Sequence, residues 1–127
     1  MPKNQKKIYQ LALDARDIEI VWLYGSRAKG MQTDSSDYDL AIALTEHPAK
    51  NSLDEYYPDK LSSHWTEIIG KKISIIDINQ IPVPLAYNVI TDGKLILCLN
   101  DLRLHSEQQR IWSLWESYKY EHRRFRK

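Results

Sequence analysis

Two aspartates, Asp37 and Asp39, flank Tyr38 at the start of an apolar run that continues to residue 44. Alternate side chains of a β-strand share a face, so the two carboxylates would point the same way, roughly 7 Å apart. Like charges raise each other's pKa, and a divalent cation removes that cost because Mg²⁺ binds carboxylate oxygens. The pair therefore suggests a metal site, but such pairs are common in turns and this one needs further context.

Gly25 and Ser26 end the preceding apolar run, at an expected junction between a strand and a short helix. Backbone N–H groups and the positive end of a helix can hold a phosphate there, with Gly allowing close approach and Ser donating its hydroxyl. A plain turn with Ser26 as the helix cap is the better explanation of the pair taken alone. Arg27 and Lys29 could neutralise triphosphate charge or simply be solvated. No GxxxxGK[ST] sequence is present, which excludes a P-loop.

A third carboxylate, Asp77, interrupts the β-branched run "ISIIDI". Burying a carboxylate in such a strand is costly unless it is paired or coordinates a metal. A salt bridge to a lysine and a metal-binding role explain Asp77 equally well.

The composition is that of a soluble globular protein, with 127 residues, 43% hydrophobic and 28% charged. This length fits a single domain over residues 1–127. No apolar stretch approaches the roughly 20 residues of a membrane span, and no signal-peptide segment is recognisable, so we expect a cytoplasmic protein. One cysteine and four scattered histidines argue against a disulfide framework and a zinc site. The basic segment 119–127 suits an acidic partner, a nucleic acid or a solvated helix end.

Hydrophobic periodicity and Gly/Pro punctuation predict alternating helices and strands, which indicate an α/β or α+β layer architecture. The predicted helices cover 4–16, a short stretch from Ser26, 59–70, 82–93 and 101–124. The predicted strands cover 17–24, 37–44, 71–78 and 94–99, the last possibly at a sheet edge, and residues 45–58 form a long loop.

The spacing of these features resembles a known family. Ser26, ten intervening residues and then Asp37 and Asp39 give GSx10DxD, and "GSRAKG", "SSDYDLAI" and "ISIIDI" all fit it. This pattern resembles the DNA polymerase β nucleotidyltransferase superfamily, and specifically its minimal nucleotidyltransferases (MNT), antitoxins encoded with HEPN ribonuclease toxins. The resemblance covers about residues 18–98.

The resemblance implies a small mixed β-sheet flanked by helices, a C-terminal helix and a mechanism with two Mg²⁺ ions. Asp37 and Asp39 would hold both ions, and Asp77 would complete the ion nearer the attacking oxygen. Gly25 and Ser26, with Arg27, would bind the phosphates of ATP. AMP would then pass to a tyrosine of the partner HEPN toxin, pyrophosphate would leave, and the toxin would lose its ribonuclease activity.

Only about 29 residues follow Cys98, essentially one helix, which leaves little room for a substrate-binding platform and favours a protein acceptor over direct nucleic-acid binding. Two alternatives stay open. The chain could be an antitoxin that masks its toxin through the C-terminal helix and basic tail without catalysis. It could also modify a small molecule such as an aminoglycoside.

Overall fold

A strand–helix alternation runs through the computed structural model, which describes residues 2–33, 35–45 and 56–125, the side chains of 123–125 excepted. Its helices are α1 (Lys3–Ala15), α2 (Tyr57–Ile69), α3 (Val83–Asp92) and α4 (Asp101–Phe125). Its strands are β1 (Ile18–Tyr24), β2 (Tyr38–Leu44), β3 (Ile73–Asp77) and β4 (Lys94–Cys98). Most of the predicted elements are confirmed, although α2 begins at Tyr57 rather than 59 and the predicted loop falls mainly on residues 46–55, outside the described residues.

The strands form one mixed sheet in the order β3-β2-β1-β4. β1 runs antiparallel to both β2 and β4, whereas β2 and β3 are parallel. This confirms the small mixed sheet flanked by helices, and it confirms β4 as an edge strand. β1 and β2 are central, and their apolar runs are buried over most of their length because helices cover both faces.

Each face of the sheet has its own hydrophobic cluster. On one face α1 and α2 pack on the sheet through Ile8 and Trp65, both fully buried. On the other face α3 and α4 pack through Val89 and Ile111, beside Trp22 of β1. The Asp39 side chain belongs to this second face because the alternation of side chains along β2 places it with Ala41.

The predicted short helix after Ser26 is wrong. Residues 26–30 form hydrogen-bonded turns, in which the N–H groups of Ala28 and Lys29 both donate to the Gly25 carbonyl oxygen, at 3.1 and 3.2 Å. Gly30 then adopts a positive φ of 71°, a left-handed conformation that ends a right-handed helix after one turn.

The outer edge of β3 is closed by hydroxyl groups of α2. The Ile73 N–H donates to Thr66 Oγ1 at 3.0 Å, and the Ile75 N–H donates to Ser62 Oγ at 2.9 Å. Ser62 and Thr66 are four residues apart and so lie on one side of the helix. These bonds fix the position of β3, and with it the side chains that β3 presents beside Asp39.

α4 is held against the sheet by a buried carboxylate. Glu107 accepts hydrogen bonds from Asn79, Arg103 and Arg110, at 3.0, 3.0 and 2.7 Å. Arg103 also donates to the carbonyl oxygen at the end of β2, Leu44 O, at 2.7 Å. Further along α4, the ring of Trp115 stacks on Tyr87 of α3, with centroids 4.5 Å apart. α4 therefore packs on α3 as well as on the sheet. Within the described residues, no helix has the length and apolar character needed to cross a membrane.

Candidate active site

The turn after β1 lies directly against the carboxylate of Asp39. Gly25 has a φ of 75°, and a Cβ atom placed on it would lie 2.6 Å from Asp39 Oδ2. Glycine is required here because it tolerates the left-handed conformation and leaves room for the carboxylate. The structure thus brings the Gly-Ser turn and the second aspartate of the DxD pair together.

Asp37 and Asp39 lie at the start of β2, while the Tyr38 side chain between them is buried in the cluster on the opposite face. Burial, and then the neighbouring charge of Asp37, raise the pKa of Asp39, whereas Lys72 acts in the opposite direction. Lys72 Nζ lies 3.9 Å from Asp37 Oδ2. Lys72 therefore offsets only part of the cost of keeping Asp39 ionised.

Tyr24 lies beside Asp39 on the neighbouring strand, in paired register. Burial, together with the Asp39 charge, raises the pKa of Tyr24 to about 12, so its hydroxyl stays protonated at neutral pH. The sequence reasoning missed this residue. Its position next to Gly25 could have indicated it. The last residue of a strand that ends at the turn pairs near the start of the antiparallel neighbour, which is where Asp39 lies.

Arg27 joins the turn to the loop before β2. Its Nε and Nη2 both donate to the Ser36 carbonyl oxygen, at 3.0 and 2.8 Å, and its guanidinium lies 4.0 Å from the centre of the Tyr38 ring. These contacts tie the turn after β1 to the loop that precedes β2. Lys29 points elsewhere, with Nζ 3.8 Å from Asp92 Oδ2, and both side chains are about half exposed.

The expectation that Asp77 shares the pocket of Asp37 and Asp39 is wrong. In the parallel register Asp39 pairs with Ser74, and Asp77 pairs with Ile42 three positions further on. An odd offset puts Asp77 on the opposite face of the sheet, roughly 10 Å along the strands. Asp77 is buried, and its Oδ1 accepts a hydrogen bond of 2.9 Å from the Asn79 N–H in the turn after β3.

The remaining residues fit a divalent cation, although with fewer ligands than expected. Asp37 and Asp39 supply carboxylate oxygens, and a cation would offset the burial and the Asp37 charge that together raise the pKa of Asp39. Among the described residues, no three acidic, histidine or cysteine side chains are grouped so that they could hold a metal. Within the described part of the chain, the carboxylates at this place are those of Asp37 and Asp39.

Comparison with known proteins agrees with this geometry. The family model described as "Polymerase beta, Nucleotidyltransferase" matches residues 6–102, well over half of the chain. A curated relative from Shewanella oneidensis, "Protein adenylyltransferase MntA", is 26% identical over 72% of this chain. The match spans 63% of that relative's length, which is less than two thirds.

Solved structures show the same fold. A chain from a crystal structure of a toxin–antitoxin with AMP-PNP superimposes with a TM-score of 0.81, at 21% identity, over 94% of this chain and 93% of its own length. A chain from the complex of tri-AMPylated S. oneidensis HEPN toxin with MNT antitoxin gives a TM-score of 0.75, at 18% identity, over 94% and 90% of the two chains. The mixed sheet, the Gly-Ser turn against the DxD pair and the extent of the family match lead to one conclusion: this chain belongs to the polymerase β nucleotidyltransferase family.

Proposed function

We propose that this protein is an antitoxin that transfers AMP from ATP to a tyrosine of a cognate HEPN-type toxin and thereby neutralises it. The observation that carries the proposal is the contact between Gly25 and Asp39, which places the Gly-Ser turn against the second carboxylate of the DxD pair. The family membership, the adenylyltransferase relative and the AMPylated HEPN toxin in a structurally similar complex support it.

In this proposal Asp37 and Asp39 hold Mg²⁺, and Gly25 and Ser26 bind the β- and γ-phosphates of ATP. The bound cation offsets triphosphate charge and favours the ionised form of the acceptor hydroxyl. Gly25 lets the phosphates approach the backbone, and Ser26 donates its hydroxyl. The tyrosine oxygen bonds to the α-phosphorus, the bond to the bridging oxygen breaks, pyrophosphate leaves and the tyrosine proton passes to solvent. Since Asp77 lies on the other face, the proposal keeps the cation ligands Asp37 and Asp39 and omits Asp77.

The test incubates the protein with ATP labelled at the α-phosphate, Mg²⁺ and a candidate HEPN-type partner toxin. We expect label on a toxin tyrosine. Asp37→Asn and Asp39→Asn should each lower the rate about 100-fold or more, because loss of a charge-stabilising ligand costs several kcal/mol in the transition state. Asp59→Asn, an exposed site on α2, is the matched control. Labelling at the wild-type rate in both site variants would refute the proposal.

A second candidate is an antitoxin that neutralises by binding alone, and the exposed apolar side chains of α4 favour it. Trp112, Leu114 and Tyr120 are 53%, 42% and 69% exposed, which is unusual for large apolar groups on one helix. Under this alternative, the double variant Asp37→Asn/Asp39→Asn still protects cells from the toxin, whereas Trp112→Ala/Tyr120→Ala does not. The opposite pattern supports AMP transfer.

A further inference from the structure

Ser74 is the residue of β3 that lies level with Asp39. The two are partners in the parallel register, while Tyr24 is the partner of Asp39 on the other side. Paired residues of neighbouring strands share a face and lie about 4.8 Å apart. A row of three side chains therefore crosses the sheet at the candidate site: tyrosine, aspartate and serine.

β3 thus offers the site a neutral hydroxyl and a cation instead of a carboxylate. Lys72, two residues before Ser74, has its ammonium 3.9 Å from Asp37 Oδ2. Mg²⁺ and Mn²⁺ prefer charged oxygen ligands, and the affinity of an oxygen site rises with the number of carboxylates that it contains. A serine hydroxyl is a weaker ligand and adds no charge.

We infer that Ser74 sets the cation affinity of this site. With serine at position 74 the site has two carboxylates and binds a cation weakly, whereas a carboxylate at this position would make the binding tight. This inference rests on the proposed function only in treating Asp37 and Asp39 as cation ligands. It concerns binding rather than AMP transfer, so it can be tested without nucleotide or toxin.

The test measures binding of Mn²⁺ alone, by the electron paramagnetic resonance signal of the free ion. Wild-type protein should bind weakly, and Ser74→Asp should bind at least about tenfold more tightly because it adds a third carboxylate. Ser74→Asn has the size of aspartate without its charge and should show no gain. Ser106→Asp adds the same charge on the exposed surface of α4, near the far end of β2, and should change affinity less than about twofold.

Thermal unfolding provides a second readout. Three neighbouring carboxylates repel each other without a cation, so Ser74→Asp should melt below the wild type in EDTA and gain more from added Mn²⁺. Adding Asp39→Asn should remove that gain. If Ser74→Asp is folded and binds Mn²⁺ no more tightly than Ser74→Asn, the inference is wrong.

Ser74→Cys provides a further test that does not depend on the folding of Ser74→Asp, since cysteine is close to serine in size. In a Cys98→Ser background, which removes the native thiol, Ser74→Cys should bind Cd²⁺ and give a thiolate–metal absorption band. Asp39→Asn should weaken that binding at least tenfold. If Asp39→Asn leaves the Cd²⁺ affinity unchanged, the inference is wrong. Absence of AMP transfer would refute the proposed function but would not contradict this inference.

Discussion

The carboxylate of Asp39 packs against Gly25 because glycine has no side chain: Oδ2 of Asp39 lies 2.6 Å from the place that a Cβ atom on Gly25 would occupy. The contact is possible because β1 and β2 are antiparallel neighbours, so the end of one strand meets the start of the other. The turn proposed to bind phosphate and the carboxylate proposed to bind a cation are thereby held at a fixed separation.

Gly25→Ala should disable the site. The new methyl group must displace the Asp39 carboxylate, and alanine at a φ of 75° adds strain of about 1–3 kcal/mol to the folded state. We expect loss of AMP transfer together with a lower free energy of unfolding, measured by urea denaturation. Gly70→Ala is the control, because Gly70 has a similar φ of 81° with no atom within 4 Å of the added Cβ. That variant should lose similar stability and keep its activity; equal activity of the two variants would contradict the prediction.

Asp39→Asn should stabilise the metal-free protein at neutral pH. Burial and the Asp37 charge raise the pKa of Asp39 above the ordinary value of 3.8, so between the two values the folded state binds more protons than the unfolded state. The free energy of unfolding of the wild type therefore falls as the pH rises from 3.8 through the raised pKa of Asp39, whereas asparagine does not ionise and its variant shows no such fall. In EDTA the variant should melt above the wild type at pH 7, and the difference should disappear below about pH 3.8.

For this comparison Glu67→Gln, on the exposed side of α2, serves as the control and should stay within about 0.5 kcal/mol of the wild type. A melting temperature for Asp39→Asn below that of the wild type at pH 7 would show that the carboxylate is stabilising rather than strained.

Arg27→Lys should weaken the protein although it keeps the charge. Lysine cannot reproduce the paired donation from Nε and Nη2 to Ser36 O, nor the planar stacking on Tyr38. We expect a loss of about 1–2 kcal/mol in the free energy of unfolding. Lys29→Met, which removes a neighbouring exposed cation, should lose less than about 0.5 kcal/mol. An Arg27→Lys variant as stable as the wild type would mean that these contacts contribute little.

Glu107→Gln should loosen α4. The Glu107 carboxylate is buried, yet hydrogen bonds from Asn79 and Arg110 outweigh burial and lower its pKa below the ordinary value of 4.5. Its contribution is present above pH 4.5 and is lost as pH falls through the lowered pKa. At pH 7 the variant should lose about 3 kcal/mol, since Arg110 loses its carboxylate partner and Arg103 keeps only its ion pair with Glu19.

The gap between Glu107→Gln and the wild type should narrow as the pH falls below 4.5. Glu116→Gln is the matched control on the same helix, because the Glu116 side chain is largely exposed and its partner Lys119 is partly exposed. It should cost less than about 0.5 kcal/mol. A pH-independent gap for Glu107→Gln would contradict the ionic origin of the effect.

The pattern GSx10DxD sufficed to predict that the Gly-Ser turn and the DxD pair lie together, through its resemblance to the family, and the structure places Gly25 against Asp39. It failed for Asp77, since β2 and β3 are joined by a long crossover that includes α2. Nothing local fixes the register of such a parallel pair, and a shift of one residue exchanges the faces of every side chain. Ser74, which is level with Asp39, was overlooked for the same reason. The short helix after Ser26 was mispredicted because a good capping residue was read without the limit that Gly30 imposes.

The bonds from Ser62 and Thr66 to the β3 backbone have an effect beyond holding the strand. An unshielded outer strand is a template on which another chain can add, and such addition leads to misassembly. A second chain that added to the outer edge of β3 would first have to break both of these hydrogen bonds. They therefore oppose polymerisation through the edge strand nearest the candidate site.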